Sequence, residues 1–160
     1  MAVPIVQPVL GSRRRISYAA SVQAPTSADT MTDRPTVLIV DDDTLMIEQF
    51  KRMLVLEGYT VATATSADEG LRWLADHIPG LILLDLRMPL MDGLALLQQL
   101  RTKSPTHARV PVVIVTGDYF IAEGTLADLH ALGASIRYKP LWLEDLIQLA
   151  HEYLPVEGPH

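Results

Sequence analysis

The stretch that decides the fold is Leu81-Ile82-Leu83-Leu84-Asp85-Leu86-Arg87-Met88-Pro89-Leu90-Met91-Asp92-Gly93. Four consecutive large aliphatics predict a strand buried on both faces, as in a parallel sheet. The run stops at a carboxylate, Asp85, which belongs at the strand's C-terminal edge. Pro89 cannot continue the pairing because it has no N–H. Asp92 is placed to cap a helix opening at Gly93, its side chain accepting from free backbone N–H groups. A lone aspartate after an apolar strand is usually a strand end or a cap; a second such edge upstream gives this one weight.

That second edge is Val37-Leu38-Ile39-Val40 followed by Asp41-Asp42-Asp43. From Thr44 to Glu57, the apolar residues Leu45, Ile47, Phe50, Met53, Leu54 and Leu56 fit a helix, which Gly58 can end in a left-handed conformation. Tyr59 to Thr63 is rich in strand formers. Ser66 with Glu69 three residues on predicts a capping box. The helix it opens carries Ala67, Leu71, Leu74 and Ile78 along one face, and Pro79 and Gly80 close it. Downstream of the central stretch, Leu94, Leu97 and Leu100 form a helical stripe running to Ser104-Pro105. Val110 to Val115 is a near-continuous apolar strand reaching Thr116-Gly117-Asp118. Residues 119 to 132 predict a weaker helix, since Gly124 sits inside it, and Gly133 stops it. Ile136 to Tyr138 is a last short strand ending at Lys139-Pro140. Leu143, Leu146, Ile147, Ala150 and Leu154 mark the final amphipathic helix.

Five strands alternating with five helices predict a three-layer α/β fold with a mainly parallel sheet. In such open sheets ligands bind beyond the carboxyl ends of the strands. Those ends carry Asp41, Asp42, Asp85, Thr116 and Lys139.

Composition narrows the function. Hydrophobic residues make up 49% and charged residues 20% of the 160, the balance of a globular domain with a substantial core. A net charge of −6 with no basic stripe argues against direct nucleic-acid binding. No apolar run approaches the ~20 residues of a membrane span. The absence of cysteine excludes disulfides, thiolate metal sites and thiol nucleophiles. The cytoplasm is the default location. Residues 1–34 differ from the rest: they lack acids before Asp29, hold the cluster Arg13-Arg14-Arg15, and show no lasting periodicity. We expect a disordered extension there. A transit peptide is the other reading of the same composition, and Met31 offers a later start.

The strand-end residues suggest a chemistry. If the first and third strands are neighbours, Asp41 or Asp42 lies close to Asp85. Two carboxylates ~4 Å apart repel by about 4 kcal/mol at an effective dielectric of 20. Proton sharing, the ammonium of Lys139 or a bound hard cation would each offset that repulsion. Oxygen ligands with open positions suit Mg²⁺, which takes one or two carboxylates plus a phosphate oxygen. Asp85 could then act as a nucleophile toward phosphorus, with Lys139 and the Thr116 hydroxyl on the phosphoryl oxygens.

Val40-Asp41-Asp42, Asp85 with Met88-Pro89 and Met91-Asp92-Gly93, Thr116, and Lys139-Pro140 occur in order, each at a strand end. Through them residues 36 to 154 resemble the receiver domain of bacterial two-component response regulators of the stand-alone type. The resemblance implies a flavodoxin-like (βα)5 fold with strand order 2-1-3-4-5. It divides the chain into the extension at 1–34, a receiver domain at 35–155 and a tail at 156–160. It implies that Asp85 accepts a phosphoryl group from a sensor histidine kinase or a phosphotransfer protein, and that Asp41, Asp42, Asp85 and the backbone carbonyl of Arg87 hold Mg²⁺. Thr116 would move toward the phosphoryl group, Lys139 would bind its oxygen, and a cis-like bend would fall between Lys139 and Pro140. Phosphorylation would shift the conformation that binds an output partner, with a homodimer as one form of output and no attached effector domain. The chemistry would be limited to self-phosphorylation and its reversal.

The sequence also departs from the family. The usual aromatic switch position, three before the lysine, holds Ile136; Tyr138, on the same face by strand period, is a candidate replacement. Thr116 to Gly133 is about two residues longer than is typical of the family and opens on apolar Tyr119-Phe120-Ile121, either a partner-binding patch or a differently packed helix. Arg87 and Asp118, two residues beyond Asp85 and Thr116, suggest an ion pair over the site. The main competing reading is a haloacid-dehalogenase-type phosphatase, whose first motif, Asp-x-Asp-x-Thr, is missed because Thr44 falls one residue early. A degenerate receiver used only for interaction is a third; the intact five-residue set speaks against it.

Overall fold

The computed structural model describes residues 35–155, so the expectations for residues 1–34 and for the tail at 156–160 lie outside the described residues. The elements run β1 Thr36–Val40, α1 Thr44–Leu56, β2 Thr60–Ala64, α2 Ala67–Leu74, β3 Leu81–Leu84, α3 Gly93–Lys103, a 3-10 turn at Pro105–His107, β4 Val112–Thr116, α4 Glu123–Ala131, β5 Ser135–Tyr138 and α5 Leu143–Tyr153. All strand pairs are parallel and the order is β2-β1-β3-β4-β5, the flavodoxin-like arrangement.

The side-chain period of two sends alternate strand residues to opposite layers. Leu38, Val40, Ile82, Leu84, Val112 and Ile114 face one buried cluster with Leu96, Leu97 and Leu100 of α3. Val37, Ile39, Leu81, Leu83, Val113 and Val115 face the other, with Phe50 and Leu54 of α1 and Leu146 and Leu149 of α5. Burial on both faces is why β3 and β4 read as unbroken aliphatic runs.

The first three helices start on local side-chain hydrogen bonds. Asp43 accepts from the N–H groups of Leu45 and Met46, Ser66 from Glu69, and Asp92 from Ala95. Glu69 reaches back to the Thr65 N–H at 3.2 Å, one residue before the cap. Gly58 adopts φ +98°, as expected of a helix stop.

Several boundaries differ from expectation. The α2 helix ends at Leu74, and Ile78 is 62% exposed instead of continuing its buried face. Pro79 disfavours a helical conformation for the residue before it. The fourth strand begins at Val112, since Pro111 has no N–H to pair and serves only through its carbonyl, which accepts from Ile82. Residues 119–122 are not helical: the Asp118 carboxylate takes the Phe120 N–H at 2.9 Å, a local turn that competes with helix formation, and α4 starts at Glu123. In α5 the buried residues are Leu146, Leu149 and Ala150, while Leu143 lies exposed in the first turn.

Candidate functional site

Because β1 and β3 are paired neighbours, with Val40 opposite Leu84, the residues that follow them emerge side by side. The Asp85 N–H donates to the Val40 carbonyl at 2.9 Å. Asp41 is 1% exposed and Asp85 6%, whereas Asp42 faces solvent. One carboxylate oxygen from each of the three lies within 4.8 Å of the others. Asp41 Oδ1 accepts from the Asp43 N–H at 2.9 Å, and Asp41 Oδ2 accepts from Lys139 Nζ at 2.8 Å. Lys139 Nζ is 3.6 Å from Asp85 Oδ1.

The charge balance at this edge is negative: three carboxylates share it with one ammonium. Burial, followed by the Asp41 charge, pushes the Asp85 carboxyl up to about 6; Lys139 and a backbone hydrogen bond from Arg87 pull it down, and Asp42 adds a smaller push upward. Burial acts to lower the Lys139 ammonium, but the hydrogen bond and charge of Asp41, with the charge of Asp85, outweigh it and hold the pKa above the usual lysine value. An excess of buried oxygen donors with one open, solvent-facing carboxylate fits a hard divalent cation.

Thr116 ends β4 and is fully buried; its Oγ1 accepts from the Asp118 N–H at 3.1 Å. The Lys139 N–H donates to the Thr116 carbonyl at 2.8 Å, so β5 delivers the lysine to the same edge as the threonine. The Lys139-Pro140 peptide is cis, at the position expected for a bend. Arg87 and Asp118 do meet: Arg87 Nε donates to Asp118 Oδ2 at 2.8 Å and Nη2 lies 2.6 Å from the same oxygen. The Phe120 N–H and then Arg87 hold the Asp118 carboxyl below its ordinary value.

Ile136 is half-buried in β5 opposite Ile114 and packs on the inner core. Tyr138 lies opposite Thr116 and is partly exposed, its ring stacked on Tyr119 at 5.4 Å between centroids. Two features escaped the sequence. Gly93 carries no side chain because a Cβ there would sit 2.3 Å from the backbone carbonyl oxygen of Asp85. The Tyr119 hydroxyl donates to the Lys139 carbonyl, a contact between residues twenty apart that no local pattern encodes.

Comparison with known proteins agrees with this geometry. The response regulator receiver domain family model matches residues 37–149. Response regulator MprA of Mycobacterium sp. (strain KMS) is 34% identical over 127 residues, covering 77% of this chain and 54% of its own. Transcriptional regulatory protein PrrA of Mycobacterium tuberculosis is 34% identical over 119 residues, covering 74% of this chain and 49% of its own. The chain thus spans about half the length of the curated relatives it matches. Among solved structures, a response regulator receiver domain protein (CheY-like) from Methanospirillum hungatei matches with a TM-score of 0.69 at 31% identity, covering 76% of this chain and 94% of that one. A response regulator receiver protein from Pseudomonas putida gives 0.68 at 30% identity, covering 74% and 97%. No helix among the described residues is long and apolar enough to cross a membrane. The parallel sheet, the acidic pocket at its carboxyl edge and the matching sequence model lead to one conclusion: this chain belongs to the response regulator receiver domain family.

Proposed function

We propose that Asp85 accepts a phosphoryl group from a phosphohistidine on a sensor histidine kinase or phosphotransfer protein, in the cytoplasm. The observation that carries this reading is the convergence of Asp41, Asp42 and Asp85 within 4.8 Å, with Lys139 Nζ 2.8 Å from the first and 3.6 Å from the last. An Asp85 oxygen forms the new bond to phosphorus, the phosphorus–nitrogen bond of the donor breaks, and its electron pair leaves on the imidazole. Asp41, Asp42, Asp85 and the Arg87 carbonyl would hold Mg²⁺, which supplies charge neutralisation and orientation to the phosphoryl oxygens when bound. Lys139 binds a phosphoryl oxygen as a point charge, and the Thr116 hydroxyl donates to another. Burial of Asp41 keeps its carboxylate oriented by the Asp43 N–H, so the pocket is set before any ligand arrives.

A groove of about 570 Å³ between α1 and the β5–α5 connection, lined by Leu45, Phe50, Met53, Leu141 and Trp142, supports protein docking beside the site. A neighbouring cavity shares Leu45, Phe50 and Leu141 and reaches Lys139, so a donor seated there approaches Asp85. Phosphorylation then shifts the surface offered to an output partner or to a second copy of the chain.

The test is incubation with Mg²⁺ and a small acyl phosphate, comparing the native chain with Asp85→Asn. Acid-labile phosphate on the native chain alone supports the reading. Labelling that persists in the variant overturns it. Steady turnover of phosphate esters that depends on Asp41 would favour the phosphatase reading instead.

A further inference from the structure

Two tyrosines meet beside the site. Tyr119, in the β4–α4 connection, stacks on Tyr138 at the end of β5, with ring planes 16° apart. The Tyr119 hydroxyl donates to the carbonyl of the next residue, Lys139. The Lys139 N–H is already engaged by the Thr116 carbonyl at 2.8 Å. Both backbone polar groups of the lysine are therefore held by the end of β4 and the connection that follows it.

That connection is itself braced. Asp118 donates through its N–H to Thr116 Oγ1, accepts from Phe120 N–H, and accepts from Arg87 in the loop after Asp85. With its backbone held on both sides, Lys139 reaches Asp41 and Asp85 through side-chain torsions alone. A ring stack by itself would only cover β5; the hydroxyl adds a directed bond to the residue that carries the ammonium.

We propose that Tyr119 is a positioning residue for Lys139, its hydroxyl holding the Lys139 carbonyl so that the ammonium is set for phosphoryl transfer. This rests on the reading of Asp85 as phosphoacceptor. Tyr119 is 58% exposed, so Tyr119→Phe keeps the ring and removes only the donor, with little consequence for folding.

The experiment measures the rate of Asp85 phosphorylation by a small acyl phosphate with Mg²⁺ in the native chain, Tyr119→Phe, Lys139→Met and the double variant. A typical hydrogen bond corresponds to about a fivefold loss of rate in Tyr119→Phe. No further loss is expected when the same change is made in Lys139→Met, because the group being positioned is gone. If Lys139→Met labels too slowly to follow, the Lys139 carbonyl carbon resonance is read instead. It should move upfield in Tyr119→Phe, with faster exchange of the Nζ protons. A Tyr119→Phe rate equal to native, an equal loss in both lysine backgrounds, or unchanged Lys139 resonances would each overturn the proposal. Absence of labelling in the native chain would instead sink the assignment of Asp85, which separates the two failures.

Discussion

Replacing Asp85 by asparagine should stabilise the metal-free protein at neutral pH. The carboxyl is pushed up to about 6 from 3.8, by burial first and by Asp41 second. An acid whose folded pKa lies above its unfolded value destabilises the fold wherever it is ionised. The penalty is absent below the unfolded pKa and complete above the folded one. At 1.36 kcal/mol per unit, the shift amounts to ~3 kcal/mol. The pocket opens to solvent beside exposed Asp42, so screening reduces this to roughly 1–2 kcal/mol. Asp85→Asn keeps the shape and removes the charge. Urea unfolding in a chelator at pH 7.5 should show the variant more stable by that amount, a rise of roughly 5 °C in Tm. The gain should shrink as pH falls from 6 toward 4 and vanish below it, where native Asp85 is protonated in both states. Added Mg²⁺ should stabilise the native chain more than the variant, by mass action. A variant no more stable than native at pH 7.5 without metal, or a gain that is the same at pH 3.5, would refute the reasoning.

Three further outcomes follow from the geometry. Gly93→Ala puts a Cβ 2.3 Å from the Asp85 carbonyl oxygen; denaturant unfolding should show a loss of about 1–3 kcal/mol, and phosphorylation should slow because the strand end carrying Asp85 must shift. Replacing both Arg87 and Asp118 by Ala opens the pair that bridges the two loops, so the phosphorylated lifetime, followed by loss of label, should shorten; an unchanged or longer lifetime would count against a shielding role. Tyr59→Phe removes the hydroxyl that donates to the Leu154 carbonyl at 3.0 Å and ties the end of α5 to the α1–β2 turn; a loss of about 1 kcal/mol is expected in thermal unfolding.

Much of this molecule was legible in its sequence because the deciding interactions are local. The aliphatic runs at 37–40, 81–84 and 112–115 announce strands buried on both faces, and Asp43, Ser66 and Asp92 cap helices through bonds spanning two or three residues. The polar residues that end those runs become site candidates because several of them, Asp41, Asp85 and Thr116, stand at the same carboxyl edge of one parallel sheet. Where local signals conflicted, a neighbouring proline or a distant contact decided. A helical pattern continued to Ile78, but Pro79 ended it early. A helix was expected from residue 119, but the Asp118 carboxylate, held by Arg87 thirty-one residues away, turned the chain first.

Other contacts have no local signature at all. His107 is buried with Nε2 2.8 Å from the His77 carbonyl, across thirty residues. Gly93 is demanded by the approach of the Asp85 backbone, and Tyr119 reaches Lys139 only because β5 is laid beside β4. Sequence alone determined the element types, their order and which polar residues stand at the strand ends, since each follows from side-chain period, capping and charge within a few positions. Only tertiary structure decided which oxygens face the ammonium and what braces the lysine, because those distances depend on strand pairing between segments far apart along the chain.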